Sequence, residues 1–429
     1  MLASWELWKP GFLLVKVIDA RDAGPKELVP QLRRPGGFLE EKVRDTARRI
    51  VADVRERGDE ALLEYTERFD GVRPDPIRIP TEEIRRARDA LSPKSEGSLR
   101  VAIENVRFFH EQELDRSWKT NRNGATIGQR VRPLGRAGLY IPGGHGAYPS
   151  TLVMTAVPAQ VAGVGEICVC APPGPDGRVD PYVLAAAGLL GLNEVYRVGG
   201  AQAVGGMAYG TQSIPAVDKI VGPGNDYVVA AKLEVFGVVG VDAPQGPSEV
   251  VVLADDGAFP ERIAHDLMAQ AEHLSGASAI LLTPSAELVS GVEPLLTGEP
   301  AKLITIVRVR DVTQAVEITN LYAPEHAHVI SENPEAIFRN LDAVGMVALG
   351  DFSPIALGDY AAGPSHALPT GGTTTWASPL GTHDFTARTN YIRYTPEALA
   401  ALGPHVERLA RLEGFENHAR SVDVRLRKG

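Results

Sequence analysis

The chain has 429 residues, more than one hydrophobic core usually holds, so we expect two or three domains. Its 44% hydrophobic and 23% charged residues are typical of a globular protein. The formal net charge of -10 argues against a nucleic-acid-binding protein, because no broad face would neutralise a phosphate backbone.

The N-terminal third predicts mainly helices. The first stretch, MLASWELWKPGFLLVKV, lacks the basic start and long apolar core of a signal peptide. The apolar run at 183–192 is too short to span a bilayer, so we expect a cytoplasmic protein that does not enter membranes. Apolar residues at three- and four-residue spacing predict helix over 40–69, interrupted at Gly58-Asp59, and again over 81–119.

Strands and helices alternate from about residue 135 to 245. Short β-branched runs predict five strands, at AGLYIP, EICVCAP, EVYRVGG, KIVG and VVGVDA. The helices between them are expected to begin near Ser150, Asp180, Ala201 and Asn225. This alternation indicates a parallel sheet covered on both faces, in which ligands bind beyond the carboxyl ends of the strands.

A second alternating region covers about 248–380, with strands predicted at EVVVLAD, AILLTP, TIVRV, HAHVIS and MVALG. The tail after about residue 384 is predicted to be helical. Thr395 is placed to act as an N-cap before Pro396 at a first helical position. The chain is therefore predicted to be an α/β protein with two alternating regions.

The two cysteines, Cys168 and Cys170, lie two residues apart on one predicted strand. Their side chains share one face but are too far apart for an unstrained disulfide. We expect buried free thiols, which fits a reducing compartment.

Three glycine-bearing loops follow predicted strands: YIPGG at 140–144, GGAQ at 199–202 and GPGN at 222–225. Each is placed to present backbone N–H groups to a phosphate or ribose. The dinucleotide fingerprint G-x-G-x-x-G is absent, and glycine is common in strand–helix turns for steric reasons. The pattern alone leaves both nucleotide binding and ordinary turns open.

Several side chains outside these loops are candidate metal ligands. Gln270 and His273 lie three residues apart in a predicted helix and so share a face. Asp359 stands in a loop-like stretch of small residues, and His418 and Glu413 lie in the tail. Zinc and other divalent metals accept amide, imidazole and carboxylate ligands. A structural or exposed role is the alternative for each residue alone.

Glu325 and His326 are adjacent in APEHAHVI, where a strand is predicted to begin. Neighbouring side chains of an extended segment diverge, so we do not expect these two to form a hydrogen-bonded dyad. They could instead serve two proton transfers on one substrate. Exposed polar residues at a strand-entry turn are the alternative.

An ordered set of motifs over roughly residues 55–420 closely resembles the histidinol dehydrogenase family. The matching segments are VRERGDEALLEYTERFDG, GRAGLYIPGG, VGGAQAVGGMAYGT, KIVGPGN, GPSEVVVLAD, QAEH, APEH, GDYAAGPSHALPT and EGFENHA. The residues directly after QAEH and APEH, and the stretch GGTTTWASPLGTHDF, depart from the usual pattern. Those departures concern the substrate pocket and leave every matched catalytic position filled.

The resemblance implies an α/β fold of two incomplete Rossmann-like parallel-sheet domains with helical N- and C-terminal extensions. Residues 1–30 would be the N-terminal extension. Residues 31–135 plus 247–383 would form the first α/β domain, with the metal and catalytic residues, and 136–246 the NAD-binding second domain. Residues 384–429 would be a tail that contributes to the partner's active site.

The resemblance also implies a reaction and its residues. The enzyme would use one zinc per subunit and two NAD to oxidise L-histidinol through L-histidinal to L-histidine, as a homodimer with shared active sites. The catalytic residues would be Glu325 and His326. The zinc ligands would be Gln270, His273, Asp359 and His418. The substrate would contact Ser248, Gln270, His273, His326, Asp359, Glu413 and His418. NAD would contact Tyr140, Gln202 and Asn225.

Two other functions stay open from the sequence. One is a dehydrogenase that uses the same cofactors on another small polar alcohol. The other is a catalytically silent metal- or nucleotide-binding protein. The intact QAEH, GDY and EGFENH segments weigh against the first, and the retained Glu325 and His326 weigh against the second.

Overall fold

The computed structural model describes residues 15–33, 39–144, 146–273 and 276–427. Most of the stretch on which the signal-peptide prediction rests lies outside these ranges. Leu274 and Ser275, in the atypical segment after QAEH, also lie outside them.

The N-terminal part is mainly helical, as predicted. Its elements are β1 (Lys16–Asp19), α1 (Pro25–Leu32), α2 (Glu41–Arg57), α3 (Asp59–Asp70), α4 (Thr81–Asp89) and α5 (Pro93–Glu111). The predicted break is confirmed: Gly58, at a φ of 59°, separates α2 from α3. The predicted helix over 81–119 is wrong at its end, because Trp118 begins a strand.

The first alternating region forms a five-stranded parallel sheet, called sheet I, in the order β6-β5-β4-β7-β8. Two strands precede it, and four helices of this region alternate with its strands. The elements are β2 (Trp118–Arg122), β3 (Ala125–Pro133), β4 (Arg136–Tyr140), α6 (Pro149–Ala162), β5 (Glu166–Ala171), α7 (Pro181–Leu189), β6 (Val195–Arg197), α8 (Gly200–Tyr209), β7 (Lys219–Val221), α9 (Asp226–Val235) and β8 (Gly240–Val241). The five predicted strands and the four predicted helix starts are confirmed.

The second region forms a six-stranded parallel sheet, called sheet II, in the order β1-β11-β10-β9-β12-β13. Its elements are β9 (Glu249–Ala254), α10 (Pro260–Ala271), β10 (Ser278–Thr283), α11 (Ala286–Val292), β11 (Ile304–Arg308), α12 (Val312–Tyr322), β12 (His326–Ile330), α13 (Pro334–Phe338), β13 (Met346–Leu349) and α14 (Ile355–Tyr360). In both sheets the chain steps outward over three strands and then crosses back to the other side of the first. The crossing places a topological switch point between β4 and β7 and another between β9 and β12.

The tail begins with a strand, so the prediction of helix directly after residue 384 is wrong. Its elements are β14 (Thr386–Tyr394), α15 (Pro396–Leu412) and α16 (Glu416–Leu426). Strand β14 pairs with β3 in the antiparallel sheet β14-β3-β2. The predicted helix start is confirmed, because Oγ1 of Thr395 accepts a hydrogen bond from the Ala398 amide and Pro396 follows the cap.

Alternate residues along the strands of sheet I enter two different cores. Leu139 packs with the core under α6 and α7, whereas Tyr140, Cys168 and Cys170 pack with the core under α2, α3, α8 and α9. Both cysteines are free and buried, as expected from their shared face. Among the described helices, none is long and apolar enough to cross a membrane.

Candidate active site

A polar cluster lies at the amino edge of sheet II, at the switch point between β9 and β12. Glu249 is the first residue of β9 and His326 the first of β12, and His326 is paired with Val250 in the ladder. Ser248 and Glu325 directly precede these strands. The cluster is therefore at the opposite edge from the carboxyl ends at which parallel sheets usually bind ligands.

Glu325 is a buried carboxylate with a fixed orientation. Its Oε2 accepts hydrogen bonds from the Ser248 hydroxyl at 2.5 Å and from the Glu249 amide at 2.9 Å. Both donors come from the start of β9, so the neighbouring strand aims the carboxylate. A carboxylate held in this way is suited to accept a proton from a substrate or a water.

The His326 ring lies between two carboxylates. Its Nδ1 is 3.5 Å from Oε2 of Glu325, and its Nε2 is 3.4 Å from Oδ1 of Asp359. The expectation that Glu325 and His326 diverge is wrong in this respect, because Glu325 precedes β12 and its carboxylate is held by the Ser248 hydroxyl and the Glu249 amide. The contact is electrostatic, since neither ring nitrogen has a hydrogen-bond partner among the described residues. The prediction that the two form no hydrogen-bonded dyad holds.

The charges around His326 change its acidity. Burial lowers the pKa of His326, but the carboxylates of Glu325 and Asp359 outweigh burial and raise the pKa to about 10. A divalent cation on Asp359 would cancel one of these two charges and favour the neutral imidazole that a base requires. The ring is thus placed to exchange protons under the control of its neighbours.

Asp359 lies in the short helix α14 rather than in the loop that the sequence suggested. Burial raises the pKa of this carboxyl, but the adjacent His326 ring and the positive charge of His366 and His273 bring the pKa below its ordinary value. The group is therefore held as an anion near three imidazoles. His273 lies two residues beyond the end of α10, not inside the helix as predicted, and is exposed.

Gln270 is a buried residue of α10, and one polar atom of its side-chain amide lacks a hydrogen-bond partner. Its Nε2 has no hydrogen-bond partner among the described residues. Amide nitrogen and oxygen positions can be exchanged by a flip, so this end can equally present the oxygen that a metal binds. Gln270 and Asp359 supply oxygen and His273 supplies nitrogen, and this donor set fits zinc.

Glu413 and His418 do not join this cluster within one chain. Both are exposed, at the end of α15 and in α16, and the His418 ring stacks on Phe415 with centroids 5.1 Å apart. Over the described parts of the single chain, no three His, Cys, Asp or Glu side chains are arranged to hold a metal ion. Within the described ranges, a single chain therefore does not assemble the predicted zinc set.

A cleft of about 1750 Å³ lies at the carboxyl ends of the strands of sheet I. Tyr140, Gln202 and Asn225, one from each glycine-bearing loop, all line it. The Tyr140 hydroxyl accepts from the Gly200 amide at 3.1 Å, and Asn225 caps α9 by accepting from two amides. Oε1 of Gln202 is buried and has no hydrogen-bond partner among the described residues. An unmatched acceptor beside two helix N-termini fits a nucleotide with ribose hydroxyls and phosphates.

The polar cluster at the amino edge of sheet II does not line this cleft, but a short chain of contacts joins the two. Tyr148 lines the cleft and precedes α6. One turn later, the Thr151 hydroxyl lies 3.1 Å from Nε2 of His366. Nδ1 of His366 lies 2.7 Å from the Asp359 carbonyl oxygen, to which it donates. The amino end of α6 therefore connects the cleft to the cluster.

Sequence reasoning did not select His366 or Glu249. His366 stands seven residues after Asp359 in the same motif, and burial lowers its pKa, which favours the neutral ring. Glu249 follows Ser248 in GPSEV, and burial, with the charge of Glu325, raises its pKa to about 7. Both residues are half-buried and lie inside the motifs that match the family, so the signal in the sequence was a polar side chain within those motifs.

Comparisons with known proteins identify the family of the chain. The family model described as histidinol dehydrogenase matches residues 36–426. The chain is 47% identical over 394 residues to a histidinol dehydrogenase of Geobacillus kaustophilus, covering 89% of this chain and 93% of the relative. It is 44% identical over 402 residues to that of Bacillus subtilis, covering 90% and 94%.

A solved structure supports the same assignment. The crystal structure of histidinol dehydrogenase from Elizabethkingia anophelis superposes with a TM-score of 0.90 at 33% identity, covering 96% of this chain and 98% of that one. The match extends over both sheets and the tail. The chain belongs to the histidinol dehydrogenase family and is an oxidoreductase.

Proposed function

We propose that the protein oxidises L-histidinol to L-histidine through L-histidinal, with two NAD and one zinc per subunit, in the final steps of histidine biosynthesis. The observation that carries the proposal is the position of His326, held between the Glu325 and Asp359 carboxylates. Family membership supports the substrate, and the cleft lined by Tyr140, Gln202 and Asn225 supports the nucleotide.

The proposed proton transfers are divided between two residues. His326 accepts the hydroxyl proton of the alcohol as the first hydride leaves. His326 then releases this proton to solvent. Glu325 takes a proton from water as the water adds to the aldehyde carbon, and the neutral His326 accepts the hydroxyl proton of the adduct as the second hydride leaves. When bound in succession, two NAD molecules would each accept one hydride. The Ser248 hydroxyl keeps the Glu325 carboxylate oriented and lies within reach of the same substrate.

The proposed metal ligands are Gln270, His273, Asp359 and His418. When bound, zinc would polarise the substrate and orient its amine and imidazole nitrogens. The unmatched amide of Gln270 and the anionic Asp359 support this set. The same residues, with Ser248, His326 and Glu413, would surround the substrate.

The remote position of Glu413 and His418 supports a homodimer in which each tail completes the partner's site. The tail carries a surface that a lone chain leaves in water: Leu412 is 76%, Leu409 59% and Phe415 53% exposed. Large apolar side chains grouped on one helical segment usually mark a protein interface. Pairing of two chains would cover these side chains and bring His418 towards a cluster that lacks a ligand.

The domain division remains part of the proposal. Residues 136–246 would form the NAD-binding domain, and 31–135 with 247–383 the domain that carries the metal and catalytic residues. Residues 1–30 and 384–429 would be the N-terminal extension and the tail.

The activity is tested directly with purified, zinc-loaded protein. L-Histidinol and NAD should give two NADH and one L-histidine per histidinol consumed. Absence of NADH from L-histidinol would overturn the proposal. A higher kcat/KM for another amino alcohol or diol would favour the related dehydrogenase that the sequence left open. Zinc binding without any turnover would favour the catalytically silent protein.

A further inference from the structure

Asp70 is a carboxylate in the nucleotide cleft that no proposed role uses. It is the last residue of α3, is half-buried, and lines the cleft together with Tyr140 and Gln202. Its Oδ2 is buried and has no hydrogen-bond partner in the described ranges. A buried, unmatched carboxylate oxygen is unfavourable, so its presence in a binding cleft suggests that a ligand supplies the partner.

The surroundings of Asp70 disfavour the charged form of its carboxyl group. Burial raises the pKa of this carboxyl to about 6. At neutral pH the group is therefore an anion in a site that disfavours anions. A hydroxyl donor would relieve this state, whereas a phosphate would add a second negative charge beside it.

The position of Asp70 in the cleft indicates which part of a dinucleotide it meets. Leu62 of α3 shares a core with Ala203 of α8, on one face of sheet I. Helix α6, whose Thr151 leads to the catalytic cluster through His366, packs in the core of the other face. The reacting nicotinamide belongs at the α6 side, so the adenosine half falls on the side of α3.

We propose that Asp70 accepts a hydrogen bond from the 2′-hydroxyl of the adenosine ribose and thereby selects NAD over its 2′-phosphorylated counterpart, NADP. The inference rests on the proposed use of NAD. In other dinucleotide sites an acidic residue binds a ribose hydroxyl in the same way. The glycine fingerprint loop of those sites is absent from this chain.

The test is Asp70→Asn, which keeps the size of the side chain and removes its charge. The Kd of NAD, measured by calorimetry without histidinol, should rise about tenfold or more, as expected for loss of a hydrogen bond to a charged group. The KM for NAD should rise with it. Affinity for NADP should stay unchanged or increase. The melting temperature of the free protein should not fall, because an unmatched buried charge has been removed.

The matched control is Asp176→Asn. Asp176 lines the same cleft but is exposed, and its Oδ1 already accepts from the Arg178 amide. The Asp176→Asn variant removes one negative charge from the same cleft. It should leave the ratio of NAD affinity to NADP affinity unchanged.

Three results would overturn the inference: an unchanged Kd for NAD in Asp70→Asn, an equal loss of NAD and NADP affinity, or an equal effect of Asp176→Asn. These results are distinct from failure of the proposed function, which the wild-type protein alone would reveal by making no NADH from L-histidinol.

Discussion

The Ser248 hydroxyl donates a 2.5 Å hydrogen bond to Oε2 of Glu325, across the two strands that flank the switch point of sheet II. Sequence separates these residues by 77 positions, and the parallel ladder brings them together. The bond links a candidate substrate contact to the candidate water-activating base.

Removal of this bond should slow the second oxidation. In Ser248→Ala, the Glu325 carboxylate keeps only the Glu249 amide as a donor, so its orientation is less defined. We expect kcat to fall by about 10- to 100-fold, a part of what general base catalysis contributes. Stopped-flow measurement of NADH from L-histidinal isolates this half-reaction. Ser290→Ala, at an exposed serine of α11, serves as the control, and a similar decrease there would contradict the assigned role.

Metal binding and proton transfer should separate by mutation. His326→Ala should retain zinc and lose most turnover, because His326 is proposed to move protons. His273→Ala should lose zinc, because His273 is proposed to bind it. Metal content by atomic absorption after dialysis, with kcat, checks both. Equal loss of metal in the two variants would contradict this division of roles.

Shared active sites predict complementation between two inactive chains. One chain carries Glu325→Gln and His326→Ala, and the other carries His418→Ala. A mixed dimer then contains one site in which Glu325, His326 and His418 are all intact. Its other site lacks all three. Purified mixed dimers should recover activity at one of their two sites. No activity in verified mixed dimers would show that His418 does not act in the partner's site.

Glu249 should make stability depend on pH in a specific window. Because burial raises its pKa from 4.5 to about 7, the folded state holds the proton more tightly than the unfolded chain. The stabilising contribution of Glu249 to the free energy of unfolding is therefore fully present below pH 4.5. It is lost as the pH rises towards 7 and does not change further at higher pH. Glu249→Gln keeps an acceptor for the Gly371 amide and removes the titration.

The denaturant midpoint of Glu249→Gln minus that of wild type should therefore increase from pH 5 to pH 8. Comparison with wild type at each pH removes the effect of other titrating groups. Glu287→Gln, at an exposed position of α11, should show a constant difference. A constant difference for Glu249→Gln as well would contradict the predicted shift.

A buried ion pair should stabilise the GPGN loop of the cleft. Nζ of Lys232 lies 2.6 Å from Oδ1 of Asp242 and donates to the Gly222 carbonyl oxygen, and Oδ2 of Asp242 accepts from the Gly222 amide. Lys232→Met leaves a buried charge without its partner and should lower stability by about 3–5 kcal/mol. Arg85→Ala, which breaks an exposed pair with Glu82, should change the denaturation midpoint little. Equal effects would contradict the argument.

Much of the fold could be predicted because both parallel sheets consist of short β-branched runs separated by helices. The strands of the antiparallel sheet were missed. Strand β14 is mostly exposed and carries polar residues along its length, so it has no apolar alternation to reveal it. Its pairing with β3 joins Thr386 to Pro133, and no local pattern indicates so distant a partner.

The candidate site was less predictable than the fold. Motifs supplied the identities of Glu325, His326 and Asp359, but their approach depends on the switch-point register and on the Ser248 bond across it. The position of the cluster at the amino edge of sheet II runs against the general rule for such sheets. The role of His366 follows only from its contact with Thr151, over 200 residues away in sequence.

The pairing of β3 with β14 also has a consequence for synthesis of the chain. Strand β3 leaves the ribosome long before Thr386–Tyr394, so one of its edges has no neighbour during most of translation. An unprotected strand edge recruits other strands, including those of nascent copies of the same chain. A protein shortened before residue 386 would keep this edge open permanently. Truncation would therefore promote aggregation even though both parallel sheets lie upstream of the cut.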